Sequence, residues 1–146
     1  MNHTHFKNAS ELLREFTTFS MRDPQNAAEI FAEEGAFEMS YLADFGFPPR
    51  YAGRAEIGSF FKMVRELYPG FEFENVVIQI ATLHQVFAEY EFTAESSVTK
   101  QNIHQHFVGC LVAKDGKIKL LREALNAAAL AQAIYSQGIP QLPATT

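Results

Sequence analysis

Residues 102–126 read NIHQHFVGCLVAK and then DGKIKLLREALN, and the fold is decided there. Asp115-Gly116 is the strongest short-range hairpin signal, and the runs on both sides of it are strand-like. The stretch is therefore predicted to be the last long hairpin of a sheet. In its second arm Glu123 stands among Ile118, Leu120, Leu121, Ala124 and Leu125. A carboxylate in that setting either faces water, paired with Arg122, Lys119 or a neighbouring strand, or faces the interior. In the interior, desolvation raises its pKa by up to roughly 3–5 units in the fully buried limit, which makes it a candidate general acid or base.

Composition narrows the function classes. A chain of 146 residues with 47% apolar and 20% charged residues is expected to be a single globular domain spanning 1–146. Fourteen Phe and no Trp point to a core or cavity lined by phenyl rings. Twelve basic residues against seventeen acidic ones give a net charge of −5. They form no basic run, which argues against nucleic acid and against an anionic membrane as partners. The single Cys110 excludes an intramolecular disulfide and suits a reducing compartment. With no apolar stretch near 18 residues and no signal-peptide pattern, a cytoplasmic location is the expectation.

Outward from the hairpin, helices come first and strands later. Asn8 and Glu11 form a capping box ahead of Ala9, Leu12, Leu13, Phe16 and Phe19 at helical spacing. Asp23-Pro24 starts a second helix, with Ala27, Ile30 and Phe31 on its buried face and Gly35 at its end. Ala36 to Tyr41 is a short strand candidate. Residues 42–52, LADFGFPPRYA, are expected as an aromatic loop folded over something. A third helix follows Gly53, with Ile57, Phe60, Phe61, Val64 and Tyr68 on one stripe, and Pro69-Gly70 stops it. FEFENVVIQIATL, QVFAEYEFTAES and the two hairpin arms are four successive strands. Ala127 to Ile134 is a short helix, followed by a Pro-containing tail. This order is α+β with a mostly antiparallel sheet. Ile103, Phe107 and Leu111 are apolar on one parity of the Asn102 strand, and Val108, Cys110 and Val112 on the other. The second face is thus expected to be covered by another subunit, as a homodimer.

Three segments carry a family resemblance: AEEGAFEMSY (32–41), GRAEIGSFF (53–61) and DGKIKLLREALN (115–126). They resemble the nuclear transport factor 2-like superfamily, more narrowly the SnoaL-like polyketide-cyclase and ketosteroid-isomerase-related proteins. They are most similar to the small dimeric phenazine-biosynthesis proteins, whose last strand has a DGKI…RE…N pattern and whose tail also runs through Gly-Ile-Pro, here 138–140. The resemblance implies a cone-shaped α+β barrel, a curved sheet wrapped around the helices with a pocket at one end. It implies that Glu123 is the acid/base group. A histidine on the third helix of those relatives is replaced here by Phe60. Where ketosteroid isomerases follow a glutamate with a catalytic aspartate, this chain has Glu38 and then Met39, so the usual isomerase dyad is missing.

The remaining candidates each have two readings. Asn126 orients Glu123 or binds substrate, or else forms a turn. Tyr41 donates to a ligand carbonyl, or packs on the rim. Glu38, between Phe37 and Met39, points away from both. His104 and His106 share one strand face, and with Glu89 or Glu91 could hold a metal; a third suitably placed histidine is lacking, and a histidine pair at a dimer interface is the stronger reading. Cys110 reads as a small buried hydrophobe. No phosphate loop, nucleophile elbow or dinucleotide fingerprint occurs, so no cofactor and no metal are expected. The expected function is cofactor-free acid/base chemistry on a small hydrophobic, ring-containing carbonyl compound. Glu123 would move the proton, Tyr41, Gln105 or Asn126 would hold the oxygen, and Phe60 and Phe107 would exclude water. The rival expectation is a non-catalytic binder or dimerisation module of the same fold.

Overall fold

Capping chemistry starts the helices where the sequence places them. The computed structural model describes residues 5–135. Asn8 Oδ1 accepts from the Glu11 N–H at 2.9 Å and opens α1 (Ala9–Phe19). Ala9, Leu12, Leu13 and Phe16 are buried on one face of it, while Phe19, expected on that face, is exposed. Asp23 caps α2 (Pro24–Ile30) by accepting from the Asn26 N–H at 3.2 Å, with Pro24 at the first helical position.

The end of α2 differs from expectation. The helix stops at Ile30, and β1 (Phe31–Glu38) begins at once, several residues before the predicted strand. Gly35 lies inside β1, at a shift of register between Phe31 and Ala36. A Cβ at Gly35 would sit 2.8 Å from the Ile118 carbonyl oxygen and 2.9 Å from that of Ala32. The glycine is needed for close backbone approach, a requirement that reads in sequence like a helix stop.

Residues 42–52 are more ordered than a loop. Ser40–Phe45 is a 3-10 helix, closed by Gly46 at φ +88°. Arg50–Ala52 is the short β2, antiparallel to β1 with Ala36 opposite Ala52 and Glu38 opposite Arg50. α3 (Gly53–Leu67) then carries Ile57, Phe60 and Phe61 into the core.

The later strands are β3 (Glu74–Ala81), β4 (Gln85–Glu95), β5 (Asn102–Lys114) and β6 (Lys117–Ala124), with a final α4 (Ala127–Ile134). They form one open, mixed sheet in the order β2-β1-β6-β5-β4-β3. Its β1–β6 pair is parallel; the other pairs are antiparallel. Along β5, Ile103, Gln105, Phe107, Gly109, Leu111 and Ala113 are buried toward the helices. Val108, Cys110 and Val112 are half-buried on the outer side. Thus Cys110, expected to be buried, instead shares the outer face with Phe87 and Arg122, its cross-strand neighbours. No helix among the described residues is long and apolar enough to cross a membrane.

Gly35→Ala should destabilise the fold by roughly 1–3 kcal/mol, because two backbone oxygens cannot yield to a methyl group as a flexible side chain would. Urea denaturation measures this, and an unchanged midpoint would contradict it.

Candidate active site

The site begins with three consecutive strands. In cross-strand register, Ala88 of β4, Gly109 of β5 and Glu123 of β6 lie side by side, and Tyr90 is opposite Phe107. All face the helices. Gly109 supplies no side chain, so the Tyr90 phenol lies over it and its hydroxyl donates to Glu123 Oε2. A Cβ at Gly109 would land on that hydroxyl. The glycine in mid-strand is therefore the opening through which the two polar groups meet.

Both groups are out of water. Tyr90 is 0% exposed and Glu123 3%. Burial pushes the Glu123 carboxyl from 4.5 up to about 7, the hydrogen bond from Tyr90 acting in the opposite direction. The Tyr90 phenol is pushed well above 10, first by burial and then by the neighbouring carboxylate. Near neutral pH, Glu123 is thus divided between its protonated and ionised forms, while Tyr90 remains a donor.

Glu123 forms part of the wall of a cavity of about 60 Å3. Nine phenylalanines line it, among them Phe37, Phe60, Phe92 and Phe107, together with Met39, Leu42, Leu125 and Leu130. Among the described lining residues, Tyr68 is the one besides Glu123 with a polar side chain, and none is basic. Aromatic packing holds the walls in place: Tyr51 stacks on Phe60 with centroids 4.2 Å apart, Phe71 on Phe92 at 4.0 Å, and Phe107 on Tyr90 at 5.5 Å.

Among the residues singled out in the sequence, Glu123, Phe60 and Phe107 come together at this cavity. Tyr41 does not line it: the side chain is 66% exposed on the 3-10 helix. Gln105 is fully buried but spends its amide on the backbone of Asn126, donating to its carbonyl at 2.8 Å and accepting from its N–H at 3.0 Å. Asn126 in turn caps α4, accepting from the Ala129 N–H at 3.0 Å. These two residues hold the β6–α4 junction, and neither faces the cavity. Of the aromatic segment before α3, Leu42 and Phe47 line the cavity.

Glu38 points away from the cavity, to a cluster on the outer face. Its carboxylate accepts from Arg122 Nε at 2.8 Å and from Arg50, and these bonds hold its pKa below the usual carboxylate range. Met39, at the position where the resemblance puts an aspartate, lines the cavity. His104 and His106 are on the exposed face, where they approach Glu91 at 3.3 Å and Glu89 at 3.1 Å. Among the described residues, no set of three or more His, Cys, Asp or Glu side chains is arranged to hold a metal ion.

Two site residues escaped the sequence reading. Tyr90 sat in an alternating strand like any core aromatic, and the available signal was Gly109, an interior strand glycine that calls for a close neighbour. Tyr68 read as the last apolar residue of the α3 stripe.

Comparison with known proteins agrees with this architecture. A family model described as a SnoaL-like domain matches residues 12–121. The chain belongs to the SnoaL-like domain family. A candidate isomerase from Bacillus subtilis superposes with a TM-score of 0.79 at 22% identity, over 90% of this chain and 95% of that one. A phenazine biosynthesis-related protein from Pseudomonas aeruginosa gives 0.75 at 20%, over 93% and 90%. A candidate SnoaL-like polyketide cyclase from Jannaschia sp. CCS1 gives 0.69 at 13%, over 92% and 97%. At these identities the likeness is one of fold: the α+β cone of nuclear transport factor 2-like proteins. No curated protein matches the chain in sequence.

The raised pKa of Glu123 has a signed consequence for stability. Below pH 4.5 the carboxyl is protonated in both folded and unfolded chains. Between 4.5 and about 7 the unfolded chain ionises first, so the folded state loses stability as pH rises. The loss approaches about 3 kcal/mol and levels off above the folded pKa. Denaturation of the wild type and Glu123→Gln at several pH values measures it. The wild type should lose stability relative to the variant across that window, and parallel profiles would contradict the assignment.

Proposed function

We propose that this protein is a cofactor-free acid/base enzyme acting on a small hydrophobic, ring-containing carbonyl compound. The observation that carries the reading is a lone carboxyl group, with a pKa of about 7, on the wall of an otherwise phenyl-lined cavity. Ionised Glu123 takes a proton from the carbon beside the ketone, leaving an enolate. Protonated Glu123 returns it to the same carbon or to a conjugated one. Return to the conjugated carbon completes an isomerisation; in a cyclisation the enolate carbon adds to a second carbonyl group of the same molecule, whose π bond opens to an alkoxide that takes the proton back from Glu123. Near neutrality both forms of Glu123 are populated, which favours a group that must act first as base and then as acid. The phenyl walls exclude water, and Tyr90 fixes the carboxyl orientation. The polyketide cyclase and isomerase descriptions of similar folds are consistent with such chemistry.

The test is proton exchange. In deuterium oxide, cyclohexanone should exchange its α-protons faster with the protein than in buffer. Glu123→Gln should slow the catalysed part by roughly 10²–10⁴. Exchange by the variant at the wild-type rate would refute the assignment.

A second reading has its own observation in its favour. A cavity of about 60 Å3 is small beside the roughly 300–1,000 Å3 of ordinary ligand sites, so a non-catalytic binder or dimerisation module also fits. Binding of cyclohexanone without Glu123-dependent exchange is its expected outcome.

The outer sheet face, we further propose, joins two copies of the chain. Val77 and Phe87 are exposed there at 50% and 43%, beside half-buried Val108, Cys110 and Val112. A cytoplasmic dimer with reduced Cys110 fits this composition. Sedimentation should show a dimer at micromolar concentration that Phe87→Glu dissociates, and a wild-type monomer would exclude it.

A further inference from the structure

Two buried hydroxyl groups lack a hydrogen-bond partner among the described residues, Ser20 and Tyr68. Ser20 is not among the residues lining the cavity, whereas Tyr68 is. A buried phenol without a partner is uncommon, because its desolvation is uncompensated. The backbone of Tyr68 is held at both of its polar groups. It closes the C-terminus of α3, its N–H donating to the Val64 carbonyl at 2.9 Å and its carbonyl accepting from the Phe71 N–H at 3.0 Å. Its ring lies 5.7 Å from that of Phe92, and the residue is 2% exposed.

Two other tyrosine hydroxyl groups nearby are already bonded. Tyr90 donates to Glu123, and Tyr135 donates to the Phe45 carbonyl. Gln105 and Asn126 are engaged with backbone. Among the described residues that line the cavity, Glu123 and Tyr68 are the two with polar side chains, and of these the Tyr68 hydroxyl is the one without a partner. From this we infer that the Tyr68 hydroxyl is the group that binds the ligand's oxygen, a carbonyl or an enol oxygen of a small apolar molecule.

This inference rests on the acid/base reading of the same cavity and extends it. Removing a proton from the carbon beside a carbonyl places negative charge on the oxygen. A donor fixed at that oxygen in a water-poor site favours the enolate over the ketone. Burial pushes the Tyr68 phenol up to about 12, so it keeps its proton and serves as a donor at neutral pH. Glu123 would then handle the carbon-bound proton and Tyr68 the oxygen, from separate positions on the wall. The specificity follows as well: compounds with one acceptor oxygen on an apolar ring gain a bond that the matching hydrocarbons cannot form.

The test compares cyclohexanone with methylenecyclohexane, of similar shape but without an acceptor oxygen, on wild type and Tyr68→Phe. The variant should bind the ketone about tenfold more weakly and the hydrocarbon equally well. The carbonyl stretch of bound cyclohexanone should lie at lower frequency in the wild type and return toward its value in apolar solvent in Tyr68→Phe. Melting of the ligand-free variant should match or exceed that of the wild type, since an unpartnered hydroxyl has been removed. Should the variant fold poorly, the 13Cζ signal of labelled Tyr68 in the wild type reports directly, and it should move with cyclohexanone but not with methylenecyclohexane. Equal effects on ketone and hydrocarbon, an unshifted carbonyl, or no binding of either compound overturns the inference. A Tyr68-dependent carbonyl shift without Glu123-dependent exchange upholds Tyr68 as the oxygen-binding group and refutes the enzymatic reading.

Discussion

The hydrogen bond from Tyr90 to Glu123 is the constraint around which the interior is arranged. It joins two strands that are not neighbours, reaching from β4 to β6 across β5. Such a bond requires an empty position on the middle strand, and Gly109 is that position. A buried carboxyl costs several kcal/mol if left alone and ionised, so it must keep its proton or find a donor. Here both happen in part. The phenol offers a donor, burial raises the pKa, and the outcome is a group that titrates near neutrality.

The cavity follows from the same arrangement. With Glu123 turned inward, the adjoining space can be filled by apolar groups alone, and phenyl rings from α1, α3 and the strands close around it. Edge-on and stacked contacts between these rings make the wall a connected aromatic shell. On the reading proposed above, the described part of that wall offers a guest one carboxyl group, Glu123, and one unpartnered hydroxyl, Tyr68. Fold membership alone would not supply that description, since function on shared folds is a property of the site.

Much of the architecture was legible in the order of residues, and the reasons are local. The caps at Asn8 and Asp23, the hairpin at Asp115-Gly116 and the alternation along β5 are short-range signals, and each reappears in the structure. The inward turn of Glu123 was left open by its own strand, and the family resemblance was what pointed it inward. What escaped depended on distant partners. Gly35 resembled a helix stop because its true reason, the Ile118 carbonyl, lies more than eighty positions away. Gln105 and Asn126 resembled substrate ligands because nothing local shows that they bond to one another. Tyr68 and Tyr90 differ from ordinary core aromatics only in what a single oxygen atom meets, nothing for Tyr68 and a carboxyl group for Tyr90. The parallel pairing of β1 with β6 was equally hidden, being a matter of chain path and not of composition.

Glu38 closes a different circuit on the far side of the sheet. Its carboxylate is shared by Arg50 of β2 and Arg122 of β6, so one acidic side chain ties three strands. β2 pairs through only three residues, and all three are partly or fully exposed. Beyond its backbone pairing, its hold on the sheet thus rests on the Tyr51–Phe60 stack and on exposed ion pairs, whereas the strands beyond β6 are held by burial. Dissolved ions weaken such ion pairs far more than they weaken burial. β2 also follows the segment carrying Phe47, part of the cavity wall. Ionic strength therefore bears on this molecule unevenly: it screens the ion pairs at the margin beside the cavity and has little purchase on the aromatic interior.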